Sequence, residues 1–294
     1  MKKFFYRVFC GFFLGLSVFA PGFSGSIIAI TMGIYQDLVR IASNPFKGLK
    51  KNILYCLPLG IGAAASAVVF LLAFKFLFET YEKATFLLFV GLITGNLPLI
   101  FGEVKKCGLK KRYLIGGGGA FAAALALGIF SMGSFALAGQ AGAAGLTASL
   151  PLLALSGFAG GAVALVPGMS VTMILILMGV YGQLLFAAES FLHLELTYLL
   201  PFGLFGLCAL AGLVLASWGI KAVFEKAPGF ANSMVFGFMA GALLGVLIQS
   251  LRLEDARFNW LLGGIMLAAG LGVSMLFVVL GRRMEKMEKA NGEA

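Results

Sequence analysis

Charge is scarce in this chain: Asp, Glu, Lys and Arg make up 12% of its 294 residues, about half of what a soluble domain carries. With 61% apolar residues and a mean hydropathy of +1.01, too little polar surface remains to cover a globule, which excludes a soluble enzyme or carrier. Histidine is almost missing. His193 stands alone, so imidazole chemistry and His-built metal sites have little to work with. Cys10, Cys56, Cys107 and Cys208 form no CxxC pair, and their spacing suggests neither a thiolate metal site nor a disulfide framework. Acidic residues are the scarcer sign, 12 against 22 basic ones, for a net charge of +10. Such an excess would suit nucleic acid, but the basic residues stand in short clusters between apolar runs, the pattern of cytoplasmic loops facing anionic lipid. The chain reads as an all-α, polytopic membrane protein without a nucleic-acid partner.

What the sequence does contain is runs long enough to cross a core of roughly 30 Å at about 20 residues each. Six plain spans are expected near 53–78, 85–102, 113–138, 197–220, 233–250 and 259–281. Two further apolar stretches, 4–42 and 148–188, are interrupted by Pro21-Gly22 and Pro167-Gly168, where proline ends a helix and glycine permits a turn. Each reads as a helix, a break and a second helix. The opening Met1-Lys2-Lys3, apolar run and Val18-Phe19-Ala20 resemble a cleavable signal peptide. The motif that follows recurs deep in the chain with its own preceding run, so the segment is expected to belong to the mature fold.

Basic residues orient the spans. Lys2, Lys3 and Arg7 open the chain at one end of the first broken stretch, and Arg40, Lys47, Lys50 and Lys51 lie at its other end, so both of its ends are expected to be cytoplasmic. Lys105, Lys106, Lys110, Lys111 and Arg112 mark a second inner loop, Lys221 and Lys226 a third, and Arg282, Arg283, Lys286 and Lys289 put the C-terminus inside as well. Of the 22 basic residues, all but Lys75, Lys83, Arg252 and Arg257 then face the cytoplasm, as the positive-inside rule asks.

The two broken stretches are copies. At an offset of 146, Pro21-Gly22-Phe23-Ser24 lies over Pro167-Gly168-Met169-Ser170, and Ile28, Ile30, Met32, Gly33 and Tyr35 meet identical residues at 174, 176, 178, 179 and 181. Gly91 and Gly95 match Gly237 and Gly241, and Gly116-Gly117 matches Gly263-Gly264. The chain therefore divides into residues 1–145 and 146–294. Each half is one broken hairpin plus three spans. Three is odd, so the second half starts on the opposite face, giving two inverted-topology repeats of the kind common in secondary transporters. If both hairpins are re-entrant, their breaks meet near the midplane.

The breaks carry the candidate chemistry. Gly22, Ser24, Gly25 and Ser26 precede one helix; Gly168, Ser170 and Thr172 precede the other. Glycine lets backbone approach a ligand, hydroxyls donate, and unpaired first-turn amides at the positive end of a helix attract an anion without a buried lysine. Two facing starts suit a phosphate or carboxylate. A kink serving only helix packing is the plainer alternative. Arg7 is expected to reach the inner headgroups or a phosphate, Asn96 to bond another helix or the ligand, and Tyr35 and Tyr181 to anchor at the interface or line an exit path. No metal or cofactor site is indicated. No carboxylate lies within the six plain spans to support coupling to a proton or to sodium, and that coupling is left open, as are the transport direction and the oligomeric state.

The pair APGFSGSIIAITMGIY (20–35) and VPGMSVTMILILMGVY (166–181) resembles the paired PG-x-S-G signatures of the polyprenyl-phosphate transporter family, a resemblance that covers nearly the whole chain. It implies a transporter that moves undecaprenyl phosphate, the lipid carrier of cell-wall synthesis, across the bacterial cytoplasmic membrane, with no catalytic residue. That family usually has an acidic residue three before the first proline and Gly-Gly-Thr after the serine; here these are Val18 and Gly25-Ser26-Ile27, and Val171 replaces a glycine in the second signature. If the acid carries a coupling proton, this chain has no group for it there. An undecaprenyl-diphosphate phosphatase has similar duplicated hairpins, but follows the serine with arginine and adds glutamates, where this chain has Gly25, Val171 and no such cluster. A small-anion transporter shares the helix-start logic and would need a polar pathway.

Overall fold

The computed structural model describes residues 2–19, 25–43, 47–108, 110–130, 149–164, 166, 169–192, 196–253 and 258–292. No strand occurs among them. The helices are α1 (Lys2–Phe19), α2 (Gly25–Thr31), α3 (Tyr35–Ser43), α4 (Leu49–Lys106), α5 (Lys111–Phe130), α6 (Leu150–Val163), α7 (Val171–Leu177), α8 (Tyr181–Leu192), α9 (Leu199–Lys226), α10 (Pro228–Arg252) and α11 (Trp260–Gly292).

Six segments among the described residues are long and apolar enough to cross a membrane: Leu49–Phe74, Phe76–Lys106, Lys111–Phe130, Leu199–Ala216, Pro228–Arg252 and Trp260–Gly281. They match the six expected spans; the part of the third expected beyond Phe130, to residue 138, lies outside the described residues. The first two belong to one assigned helix, α4, which reverses at Tyr81 (φ −140°, ψ 51°). The rings of Phe74 and Phe89 lie 5.5 Å apart, whereas fifteen residues of straight helix would separate them by about 22 Å. Thr85, fully buried, places its hydroxyl 2.9 Å from the Tyr81 carbonyl and 3.1 Å from that of Leu77, serving oxygens that the reversal takes out of the helical ladder. Thr85→Val should therefore cost about 1–3 kcal/mol. Thr94, whose hydroxyl bonds the Val90 carbonyl four residues back at 2.7 Å, should tolerate valine with little loss. Thermal unfolding of the two variants in detergent checks the contrast.

The hairpins differ from expectation in one respect: the second helix of each is itself divided. α2 ends at Thr31 and α7 at Leu177, followed by Gly33 (φ 63°) and Gly179 (φ 70°), and the Ile34 amide bonds the Ala29 carbonyl as Val180 bonds Leu175, both at 3.0 Å. These are left-handed glycine caps closed by a six-residue bond. The chain then turns into α3 and α8. α2 runs back along α1: the Tyr6 hydroxyl donates to the Met32 carbonyl at 2.7 Å, and Cys10, Ala29, Ile34, Tyr55 and Leu59 share one buried cluster. The first hairpin thus returns to the end from which it started.

Close contacts between helices recur at matching positions. A side chain at Gly11 would strike the Leu59 backbone and one at Gly157 that of Phe205; Gly15 faces Ala63 as Gly161 faces Ala209. These pairs join α1 to the first limb of α4, and α6 to α9, all at the offset of 146. The second limb of α4 packs against α11 through Gly91 on Leu267 and Gly95 on Leu271, and α10 packs against α5 through Gly237 on Gly117 and Gly241 on Phe121. This pairing equates Gly117 with Leu267, a shift from the sequence register that set Gly117 over Gly264. The helix reversal also repeats: Ala227, between α9 and α10, has φ −145° and ψ 61°, close to the values at Tyr81, its counterpart.

The second limb of α4 and α10 run antiparallel. Near one end Lys83 Nζ bonds the Leu253 carbonyl at 3.3 Å; near the other, Phe101 and Phe236 stack at 5.4 Å and Gly229 abuts Cys107 and Tyr113. α7 is sheathed by this assembly: Thr172, Met173, Ile174, Leu175, Ile176 and Leu177 are all buried. The outer faces are apolar instead. Leu200, Leu207, Leu210, Val214 and Leu215 of α9 are exposed, a stripe that suits lipid and not water.

Candidate functional site

The second break is open to inspection. Val166, Met169 and Ser170 are non-helical, and Ser170, at φ −122° and ψ 138°, occupies the N-cap position of α7. Serine there ordinarily accepts a bond from the second or third amide of the helix. Here no side-chain cap forms; the Met173 amide instead bonds the Ser170 backbone carbonyl at 3.1 Å. The Ser170 hydroxyl is left 4% exposed and without a hydrogen-bond partner. An orphaned buried hydroxyl costs about 1–3 kcal/mol and calls for an explanation such as a ligand. Thr172, fully buried, follows two residues later.

In the first half, Gly25 begins α2 at the position matching Val171. A side chain there would lie 3.0 Å from the Ser17 hydroxyl, which itself donates to the Leu14 carbonyl at 2.6 Å. Ser17 escaped sequence reasoning, since a lone serine within an apolar helix gives no signal. Pro21, Gly22, Ser24, Pro167, Gly168 and His193 lie outside the described residues, as do the side chains of Ser26 and Lys75. Helix α1 touches α7, and Ile28 of α2 shares one core cluster with Met173, Leu175, Ile176 and Leu177, so the two hairpins meet in the interior.

The helix starts at the two breaks carry less charge than a long helix would bring. α2 and α7 have seven residues each, too few to develop the half-unit charge of a long helix, and the Met173 amide is already engaged. Local donors, not the macrodipole, must supply what anion binding the break offers.

The secondary candidates disperse. Arg7 holds its guanidinium 4.1 Å from the centre of the Tyr55 ring, ten residues and about 15 Å along α1 from Ser17. Asn96 donates to the Ser274 hydroxyl at 2.9 Å and to the Leu92 carbonyl at 3.2 Å, a bond between helices. Tyr35 opens α3 and is exposed, as an interfacial anchor would be. Tyr181 is not such an anchor. It is 4% exposed, with its ring 6.0 Å from Phe78 and 6.2 Å from Phe89, because the reversal of α4 folds two aromatic-rich limbs over the start of α8.

Six apolar spans and an exposed apolar face define a multi-pass helical membrane protein. The family model for VCA0040-like proteins, described as undecaprenyl phosphate translocase-like, matches residues 14–257, and the chain belongs to that family. No curated protein and no solved structure gives a significant match. A translocase-like description is compatible with a protein that moves its substrate without breaking a bond.

Proposed function

We propose that this protein carries undecaprenyl phosphate, the lipid carrier of cell-wall synthesis, across the bacterial cytoplasmic membrane. The observation that carries the reading is the Ser170 hydroxyl, buried and unpartnered at the start of α7, in a motif that recurs at Ser24 in a chain of this family. The phosphate head is held between the two breaks, by Gly22, Ser24, Gly25 and Ser26 on one side and Gly168, Ser170 and Thr172 on the other. The polyprenyl tail stays in lipid.

Alternating access follows from inverted repeats over 1–145 and 146–294, each with a re-entrant hairpin and three spans, and with both termini cytoplasmic. The matched glycine caps, matched reversals at Tyr81 and Ala227, and the antiparallel course of the second α4 limb and α10 support that relation. The last span of each half packs on the middle span of the other, while α1 and α6 lie on the first span of their own half and α2 also packs on α11 of the other. Rocking of α1 and α6 with those first spans against the interlocked middle and last spans would alternate access.

Reconstitution in vesicles with labelled undecaprenyl phosphate and diphosphate tests the reading. Movement of the monophosphate between leaflets, without phosphate release, is the expected result. Release of inorganic phosphate without movement identifies a phosphatase instead, and neither event leaves a small-anion carrier.

A further inference from the structure

We propose that a basic hollow at the start of α1 and α4 is a second anion site, which receives a phosphate monoester at one membrane face. As a stage in lipid transport it rests on the function proposed above; as an anion site it does not. The hollow has a volume of about 580 Å³ and is lined by Arg7, Arg40, Lys47, Lys51, Asn52 and Tyr55, within the roughly 300–1,000 Å³ of small-molecule sites. Four cations converge on it. The nearby carboxylate is Asp37, held by Arg40 at 2.7 Å, and no other acidic residue precedes Glu79 in the sequence.

The walls are ordered for this task. Tyr55 supports the Arg7 guanidinium at 4.1 Å, which fixes the direction of its donors. Asn52 bonds the Lys47 carbonyl at 3.2 Å, holding the turn at Gly48 (φ 80°) from which α4 starts without a side-chain cap. α4 runs more than thirty residues from Leu49 to its reversal at Tyr81, so this helix start, unlike those of α2 and α7, brings a full dipole to the rim. The next basic cluster has the same kinds of pairing, Lys106 with Glu103 at 2.5 Å and Lys110 and Arg112 against the Tyr113 ring.

Position within the duplicated chain favours a role on one face only. No Lys or Arg occurs between Arg112 and Lys221, so the second hairpin has no cation to build a counterpart. An otherwise repeated molecule thus gathers phosphate at one entrance, the one its basic loops assign to the cytoplasm. A dianionic monoester outcompetes singly charged phosphodiester lipids at such a cluster because each added charge gains from every cation.

Lysine footprinting tests the site directly. The protein in zwitterionic nanodiscs is treated with an amine acylating reagent, with or without farnesyl monophosphate, farnesol, inorganic phosphate or phosphatidylglycerol, and labelling is read per residue. Farnesyl monophosphate should slow labelling of Lys47 and Lys51 about tenfold while Lys105 and Lys111 react as before, and raised salt should abolish the difference. Protection by inorganic phosphate alone supports the anion site with the free ion as an occupant; protection by the prenyl phosphate alone supports it with the lipid head. Equal protection by phosphatidylglycerol, or equal protection of all four lysines, overturns the proposal. Lys47→Gln/Lys51→Gln, on exposed side chains, should raise the lipid concentration needed for half-maximal transport and leave the maximum intact; an unchanged half-maximal concentration overturns the loading role. If the protein moves no lipid but protection persists, the transport reading fails and the anion site stands.

Discussion

Valine at Gly237 is expected to remove folded protein from the membrane, whereas alanine at Gly264 should leave it unchanged or slightly more stable. Both glycines lie inside apolar helices, where alanine is favoured over glycine by up to about 1 kcal/mol in helix propensity. Their surroundings differ. A β-carbon at Gly237 would fall on the Gly117 carbonyl of α5; one at Gly264 meets nothing within 4 Å. No side chain can yield at the first site because the obstacle is backbone, so α5 and α10 must separate. Overpacking of this kind costs about 1–3 kcal/mol even where side chains can adjust, and without a hydrophobic drive between helices in lipid, lost close contact is not recovered elsewhere. The Gly237 contact also joins the two halves, so its loss undoes the frame against which both hairpins rest. Gly161→Val, which strikes the Ala209 backbone, should loosen the second hairpin from α9 while the frame survives. Size-exclusion profiles and thermal midpoints of Gly237→Val, Gly161→Val and Gly264→Ala in detergent check the order. Equal behaviour of all three would remove the glycine contacts from the account of stability.

The spans were legible because length and apolar composition alone decide whether a helix can cross lipid. The division at Gly33 and Gly179 was not read, although both glycines stood in the matched motif: an isolated glycine in an apolar run looks like a packing residue until its left-handed φ is seen. Nor could composition tell Tyr35 from its copy Tyr181. Identical residues at matched positions acquired different surroundings because the limbs of α4, rich in phenylalanine, close over one and not the other. The shift from Gly264 to Leu267 has a similar origin, since helices register by which faces touch and small residues are abundant enough to offer several alignments. The basic hollow was invisible for another reason. In sequence its cations are scattered topology markers, and only the return of α2 and α3 to the start of α1 brings Arg7 and Arg40 beside Lys47 and Lys51.

Ser170→Ala should move stability and transport in opposite directions. In the ligand-free protein the hydroxyl has no partner and is 4% exposed, so its removal deletes an unsatisfied polar group and no bond; the thermal midpoint should stay level or rise. If the hydroxyl donates to phosphate during transport, the same change removes a bond to a charged group, about 1.5–3 kcal/mol or roughly 10- to 100-fold in transport rate. Ser24→Ala/Ser170→Ala should lower the rate further than either change alone if, as proposed, both serines hold one phosphate. A serine kept only for close helix packing predicts the reverse: alanine would preserve both the contact and the activity. Paired measurement of thermal midpoint and vesicle transport on one preparation separates these cases. Full transport by the double variant would take both hydroxyls out of the site, and a fall in the midpoint of Ser170→Ala by several degrees would show that its oxygen is bonded within the fold.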